Sequence, residues 1–132
     1  LGPVQRVRCG KSKNAKGKEG PACDAQPFFE QALAKAIVDN VDCAPREEQE
    51  GSINYVMQID HAAKRVNVFS GASGSWKGQN AKRAAECVTR SLPHPPWETL
   101  PHVERYYMVA ILATYPPAHL TIPGPPGAPS FQ

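Results

Sequence analysis

What this sequence lacks narrows its chemistry before anything it contains. No apolar run approaches the roughly 18 residues a membrane-spanning helix needs. The four cysteines form no CxxC pair, so the ligand spacing of a zinc ribbon is missing. His61, His94, His102 and His119 fall in turns and proline-rich stretches without HExxH or HxH spacing. No metal site is expected, and alanine at each histidine is expected to leave function largely intact. The phosphate-loop pattern GxxxxGK[ST] is absent, and neither Ser73 nor Ser75 has the GxSxG spacing of a nucleophile elbow. Glu47, Glu48 and Glu50 belong to a solvated connector and Asp60 to a turn, so no carboxylate pair is marked out for acid–base work. The expectation is no enzyme and no cofactor. Charge excludes another class: fifteen basic and twelve acidic residues leave a net +3, too little to argue for nucleic acid. No leader is visible and the chain does not begin with Met, which reads as a domain cut from a longer protein.

What is present suits one modest core: 132 residues, 41% of them apolar. From Ser52 to Asp60 the chain alternates, with Ile53, Tyr55, Met57 and Ile59 on one face, the period of a half-buried strand. His61-Ala62-Ala63-Lys64 turns it, and Arg65–Phe69 returns as a second strand. A Gly/Ser loop, Ser70–Ser75, leads into a helix over about Gln79–Ser91, with Ala81, Ala84, Ala85, Val88 and Leu92 as its apolar stripe. The loop serves structure, with Trp76 as a packing plug; an anion held at the start of the helix is the alternative. Upstream, Asp24 is placed as N-cap of a helix over Pro27–Asn40, with Phe29, Leu33, Ala36 and Ile37 facing inward. Leu1–Arg8 has the makings of a short edge strand. Pro93, Pro95 and Pro96 end the second helix, and Trp97 is expected to pack back on the core. Arg105–Tyr115 is the third strand; apolar on both faces, it belongs at the centre of a sheet. Tyr107 and Tyr115 share one face and Tyr106 takes the other. The proline-rich remainder, Ala118–Gln132, reads as an extended tail with a short strand at Leu120–Ile122.

Four cysteines allow three disulfide connectivities. Cys9–Cys23 and Cys43–Cys87 are preferred, the first closing a Gly/Lys-rich loop with almost no apolar residues, the second joining the end of one helix to the face of the other. That reading implies an oxidising compartment; four reduced, buried cysteines are the alternative. Arg6, Arg8, Lys11, Lys13, Lys16 and Lys18 read as a solvated basic loop, with a polyanion site as the alternative.

The order helix, hairpin with Val68-Phe69-Ser70-Gly71, Ala84-Ala85-Glu86-Cys87-Val88 on a second helix, a proline/aromatic segment and a last strand resembles the C-terminal domain of TonB-type proteins. The nearest variant is the AgmX/PglI type of bacterial gliding-motility proteins. Cys43 and Cys87 match its two recurring cysteines, whereas Leu92-Pro93-His94-Pro95-Pro96-Trp97 departs in order from its Trp/Pro segment. The resemblance spans about 27–115, leaving residues 1–26 as a disulfide-closed basic lead-in and 116–132 as a tail. It implies an α+β fold, a small antiparallel sheet of three to four strands with two helices on one face. It also implies a periplasmic, non-enzymatic domain of an inner-membrane-anchored protein, coupling a motor or energy-transducing complex to periplasmic or outer-membrane proteins. Membrane anchoring would come only from the parent protein. In that family the final strand tends to lie near a free edge, in conflict with the central position its apolar faces require. A partner strand is expected to pair there, at Arg105, Tyr107, Val109, Ile111 and Thr114. The alternative is a peptidoglycan- or glycan-binding module using Trp76, Trp97 and the tyrosines as stacking platforms.

Overall fold

The structure, a computed structural model, describes residues 1–12 and 17–117. It is an α+β fold: one antiparallel sheet with two helices on one of its faces. The strands are β1 (Gln5–Gly10), β2 (Lys18–Glu19), β3 (Gly51–Asp60), β4 (Arg65–Ser70) and β5 (Tyr106–Tyr115), in the order β2-β1-β5-β3-β4. The helices are α1 (Pro27–Asp39) and α2 (Gln79–Ser91). Short 3-10 turns at Gly20–Ala22, Val41–Cys43 and Trp97–Thr99 join these elements. The expected Leu120–Ile122 strand lies outside the described residues.

The expected hairpin forms as read. Alternation along β3 sends Ile53, Tyr55, Met57 and Ile59 into the core, where they meet Phe29, Leu33, Ala36 and Ile37 of α1 and Ala81, Ala84, Ala85 and Val88 of α2. The conflict over the third strand resolves in favour of its composition. β5 is central, paired with β1 on one side and β3 on the other. A strand with a sheet neighbour on each side and side chains on both faces needs the near-continuous apolar run found here. The sheet has five strands because the N-terminal segment joins it: β1 lies between β2 and β5, and Arg6 on β1 pairs with Glu30 on α1 at 3.6 Å. Two parts of this lead-in, Gln5–Gly10 and Lys18–Glu19, are therefore members of the sheet.

Both preferred disulfides are present. Cys9–Cys23 joins β1 to the turn after β2, and Cys43–Cys87 joins the turn after α1 to α2, with Cα–Cα distances of 5.8 and 6.4 Å. Two disulfides fit an oxidising environment outside the cytoplasm. Among the described residues, no helix is long and apolar enough to cross a membrane. Trp76 acts as the expected plug. Its indole stacks on Tyr115 with centroids 5.6 Å apart and lies across Gly51, where an added Cβ would sit 1.8 Å from the ring. Only glycine fits beneath that indole.

One cap differs from expectation. The N-cap residue of α1 is Gln26, whose N–H donates to the Glu30 carboxylate at 2.9 Å. Asp24 is drawn off to a longer-range task, accepting from the Tyr107 hydroxyl at 2.6 Å and from the Val103 N–H at 3.3 Å. Tyr107 Oη in turn accepts the N–H groups of Val103 and Glu104, both at 2.9 Å. Burial raises the Asp24 pKa, but these donors outweigh it and the carboxyl ends below its usual value. Burial and the bond to Asp24 push the Tyr107 phenol up to about 12. Tyr107→Phe would remove a donor and an acceptor together. It is expected to destabilise the fold by about 1–3 kcal/mol in urea titrations, with the disulfides intact.

Candidate functional site

The helices cover one face of the sheet; the other face is where the described residues leave polar side chains in ordered rows. Register fixes the rows. Arg65, Asp60 and Tyr106 lie side by side across β4, β3 and β5; next come Asn67, Gln58 and Met108, with Arg8 beyond them on β1. Phe69, Val56 and Ala110 form an apolar third row, followed by Asn54 and Leu112, then Ser52 and Thr114. At the hairpin end this face forms a groove of about 360 Å³, lined by Arg8, Gln58, Asp60, Arg65, Asn67, Tyr106 and Met108 among others.

Asp60 organises that end. Its Oδ1 accepts the N–H groups of Ala62 and Ala63, both at 3.0 Å, closing the turn in which Lys64 takes a positive φ of 55°. Its two oxygens also accept Arg105 Nε at 3.0 Å and Nη2 at 3.2 Å, a bidentate pair. The Arg105 hydrogen bonds, against a smaller opposing effect of burial, hold the Asp60 carboxyl well below the usual range. The Arg105 guanidinium lies 4.9 Å from the centre of the Tyr106 ring. Asp60 beside it raises the Tyr106 phenol, as does burial, while Arg105 and Arg65 pull the other way. Arg8 and Arg65 make no ion pair among the described residues, and the Gln58 and Asn67 amides make no hydrogen bond among them. The groove therefore presents donors and a ring face. It suits recognition of an anion better than bond cleavage.

Comparison with known proteins decides nothing further. The chain matches no family model, no characterised protein and no solved structure. The site therefore rests on its own residues.

The expected partner-binding residues separate. Tyr107, Val109 and Ile111 point into the helix-covered core, at 3%, 2% and 1% exposure. Their backbone is committed as well. In an antiparallel ladder, residues alternate between bonding one neighbour and the other. The bonds Gly71 N–H to Asn54 C=O, His61 N–H to Arg105 C=O and Gly2 N–H to Leu112 C=O set the phase. Tyr107, Val109 and Ile111 accordingly bond β3, whereas the even-numbered residues of β5 face the β1 side. The edge role expected for these three is thus corrected: the strand is internal and their polar groups are used. Arg105 stands on the open face through its pair with Asp60. Thr114 keeps an outward edge, because β1 reaches only Ala110 and Gly2 serves Leu112. The edge strands among the described residues are the two-residue β2 and, on the other side, β4, which α2 shields: the Thr89 hydroxyl donates to the outward Val68 C=O at 3.4 Å.

Other candidates move to the structural side. Trp97 packs on Phe29 and His61, with centroid distances of 5.3 and 5.6 Å, which with the stacking of Trp76 removes both indoles as free platforms. His61 is 8% exposed and hydrogen-bonds Gln26 through Nε2 at 2.8 Å, so the expectation that alanine is harmless there is withdrawn. Among the described residues no three His, Cys, Asp or Glu side chains gather as metal ligands. Arg8, Gln58, Arg65 and Asn67 were not singled out from the sequence. The alternation of Asn54, Gln58 and Asp60 along β3, and of Arg65 and Asn67 along β4, carried the signal of a second, polar face.

Proposed function

We propose that this chain is a non-enzymatic protein-interaction domain of a bacterial cell envelope. It works in the periplasm as part of an inner-membrane-anchored protein, coupling a motor or energy-transducing complex to periplasmic or outer-membrane partners, as in gliding motility. The observation that carries the interaction reading is the sheet face away from both helices: it keeps arginines and amides that find no partner among the described residues, next to an apolar row in which Val56 and Ala110 are buried and Phe69 is half-buried. The disulfides fit an extracytoplasmic location, and the resemblance over about 27–115 supports the envelope assignment. Docking on this face replaces strand addition as the preferred mode, since Thr114 is the outward position left on β5. The glycan-binding alternative is weakened because Trp76 and Trp97 are engaged in packing.

A photo-crosslinking phenylalanine analogue at Phe69 tests this in the envelope of the producing cells, with Val38 on the outer side of α1, 60% exposed, as control. A discrete protein adduct identified by mass spectrometry is expected from Phe69 and not from Val38. No adduct, or retention on purified peptidoglycan alone, would sink the reading. Thr114→Pro and Thr114→Ala are expected to retain the adduct equally. Loss with proline alone would put the partner on the strand edge, because proline has no N–H to give.

A further inference from the structure

We propose that the groove at the hairpin end of the open face takes an extended acidic segment of the protein partner, gripping two of its carboxylates with Arg8 and Arg65. The proposal rests on the interaction reading above and gives that partner a chemistry. Arg8, Arg65 and Arg105 place three guanidinium groups at this end against two carboxylates, Asp60 and, opposite Arg8 on β2, Glu19, with which Arg8 forms no ion pair among the described residues. Asp60 is already saturated by Arg105 and two turn N–H groups, so it does not neutralise the others. An unpaired guanidinium presents a planar fork of donors that matches a carboxylate bidentately. The two forks stand on β1 and β4, Arg8 at the end of the second row of the face and Arg65 at the opposite end of the first.

Spacing selects an extended ligand. Three strand intervals separate β1 from β4, about 14 Å. An extended chain rises about 3.3 Å per residue and returns its side chains to the same side at every second position. Carboxylates two to four residues apart on one side of such a segment therefore lie within reach of both forks, since the long arginine side chains lean over the groove they line. Between them, Gln58 and Asn67 offer amide donors and acceptors with no hydrogen-bond partner among the described residues, fit to meet a peptide backbone. Met108 and the Tyr106 ring supply apolar contact for the residue between the two acids. Exposed Lys11, just beyond β1, adds to the attraction that brings an acidic chain in.

The probe is the blocked peptide acetyl-Glu-Val-Glu-Val-Glu-amide, titrated into ¹⁵N-labelled protein with disulfides intact, beside its all-Gln counterpart. Shifts are expected at Arg8, Gln58, Asn67, Tyr106 and Met108. Binding should weaken roughly tenfold or more with the Gln peptide and with R8Q/R65Q, and fall as salt is raised. If R8Q/R65Q melts differently from the wild type, R65Q alone, at an exposed side chain, serves the same comparison. The proposal is overturned by any of three results: no shifts in millimolar excess of the Glu peptide, shifts on the helix side of the sheet, or equal binding by the arginine variants. It is also overturned if soluble peptidoglycan fragments shift the same residues more strongly than the peptide, which would make the ligand a glycan. Loss of the Phe69 adduct in the wild type removes the interaction reading itself. A wild-type adduct that persists in R8Q/R65Q removes only the acidic partner.

Discussion

Replacing Cys43 and Cys87 together by serine is expected to cost about 2–5 kcal/mol of stability, and more than replacing Cys9 and Cys23. The bridge closes a loop with a sequence separation of 44, against 14 for the other. On the chain-entropy account, these lengths correspond to about 4 and about 3 kcal/mol at room temperature. Position reinforces the ranking. Cys43 lies in the turn that ends the α1 segment and Cys87 on the buried side of α2, so this bridge holds the two helices in one layer over the sheet. The buried side of α2 relies on alanines, which contribute little area each. Cys9–Cys23 anchors the two-residue strand β2 and its turn, a peripheral element. Guanidinium unfolding of oxidised wild type and both double variants measures the difference. Equal midpoints for the two variants, or a Cys43/Cys87 variant as stable as the wild type, would refute the ranking. Total stabilities of small domains run about 5–15 kcal/mol, so a loss at the upper end of the expected range approaches unfolding at ambient temperature.

The elements that could be read from the sequence are those whose pattern is local. The period of two in β3 and the stripe of α2 state which side chains go inward, and proline states where each run must stop. The cysteine pairing was also legible, because one pair brackets a segment too polar to bury itself. The position of β5 divided two lines of inference: its double-sided apolarity gave the centre, and the resemblance gave the edge. Physical chemistry of the strand itself proved the better guide. The N-terminal strand reads from Val4 and Val7 as a short edge strand over Leu1–Arg8, whereas β1 spans Gln5–Gly10 and lies between β2 and β5. It joins β5 mainly by backbone bonds, and the Arg6–Glu30 pair behind it links residues 24 apart in the chain. The groove was missed. Arg8, Gln58, Asn67 and Arg65 come from three strands, and each alone reads as an ordinary surface residue. Only the register brings them into one row or its neighbour.

Acidification should reveal a second long-range arrangement, centred on His61. Stability is expected to fall by about 3 kcal/mol between pH 6.5 and pH 4. The His61 ring is buried among Phe29, Trp97 and Tyr107, with the His102 ring tilted at 44° against it at a centroid distance of 3.8 Å. Burial, aided by the His102 charge and opposed by Asp24 and Asp60, lowers its pKa to about 4. In the unfolded chain the same ring takes up its proton near pH 6.5. Between the two values the unfolded state binds more protons, so the contribution is complete above pH 6.5 and is lost as pH falls toward 4, at about 1.4 kcal/mol per pH unit. The depressed carboxyls of Asp24 and Asp60 act in the same sense but below the ordinary carboxylate value of 3.8, outside this window. Urea midpoints at pH 7, 6, 5 and 4.5 trace the slope. His61→Gln can keep a donor to Gln26 Oε1 without ever charging, and should flatten the profile by about that slope even if it lowers the plateau. An unchanged slope in His61→Gln would show that the proton is taken up elsewhere. His102→Gln should leave the onset near pH 6.5 and shrink the total loss, because removing its charge raises the His61 pKa part of the way back while burial, the larger cause, remains.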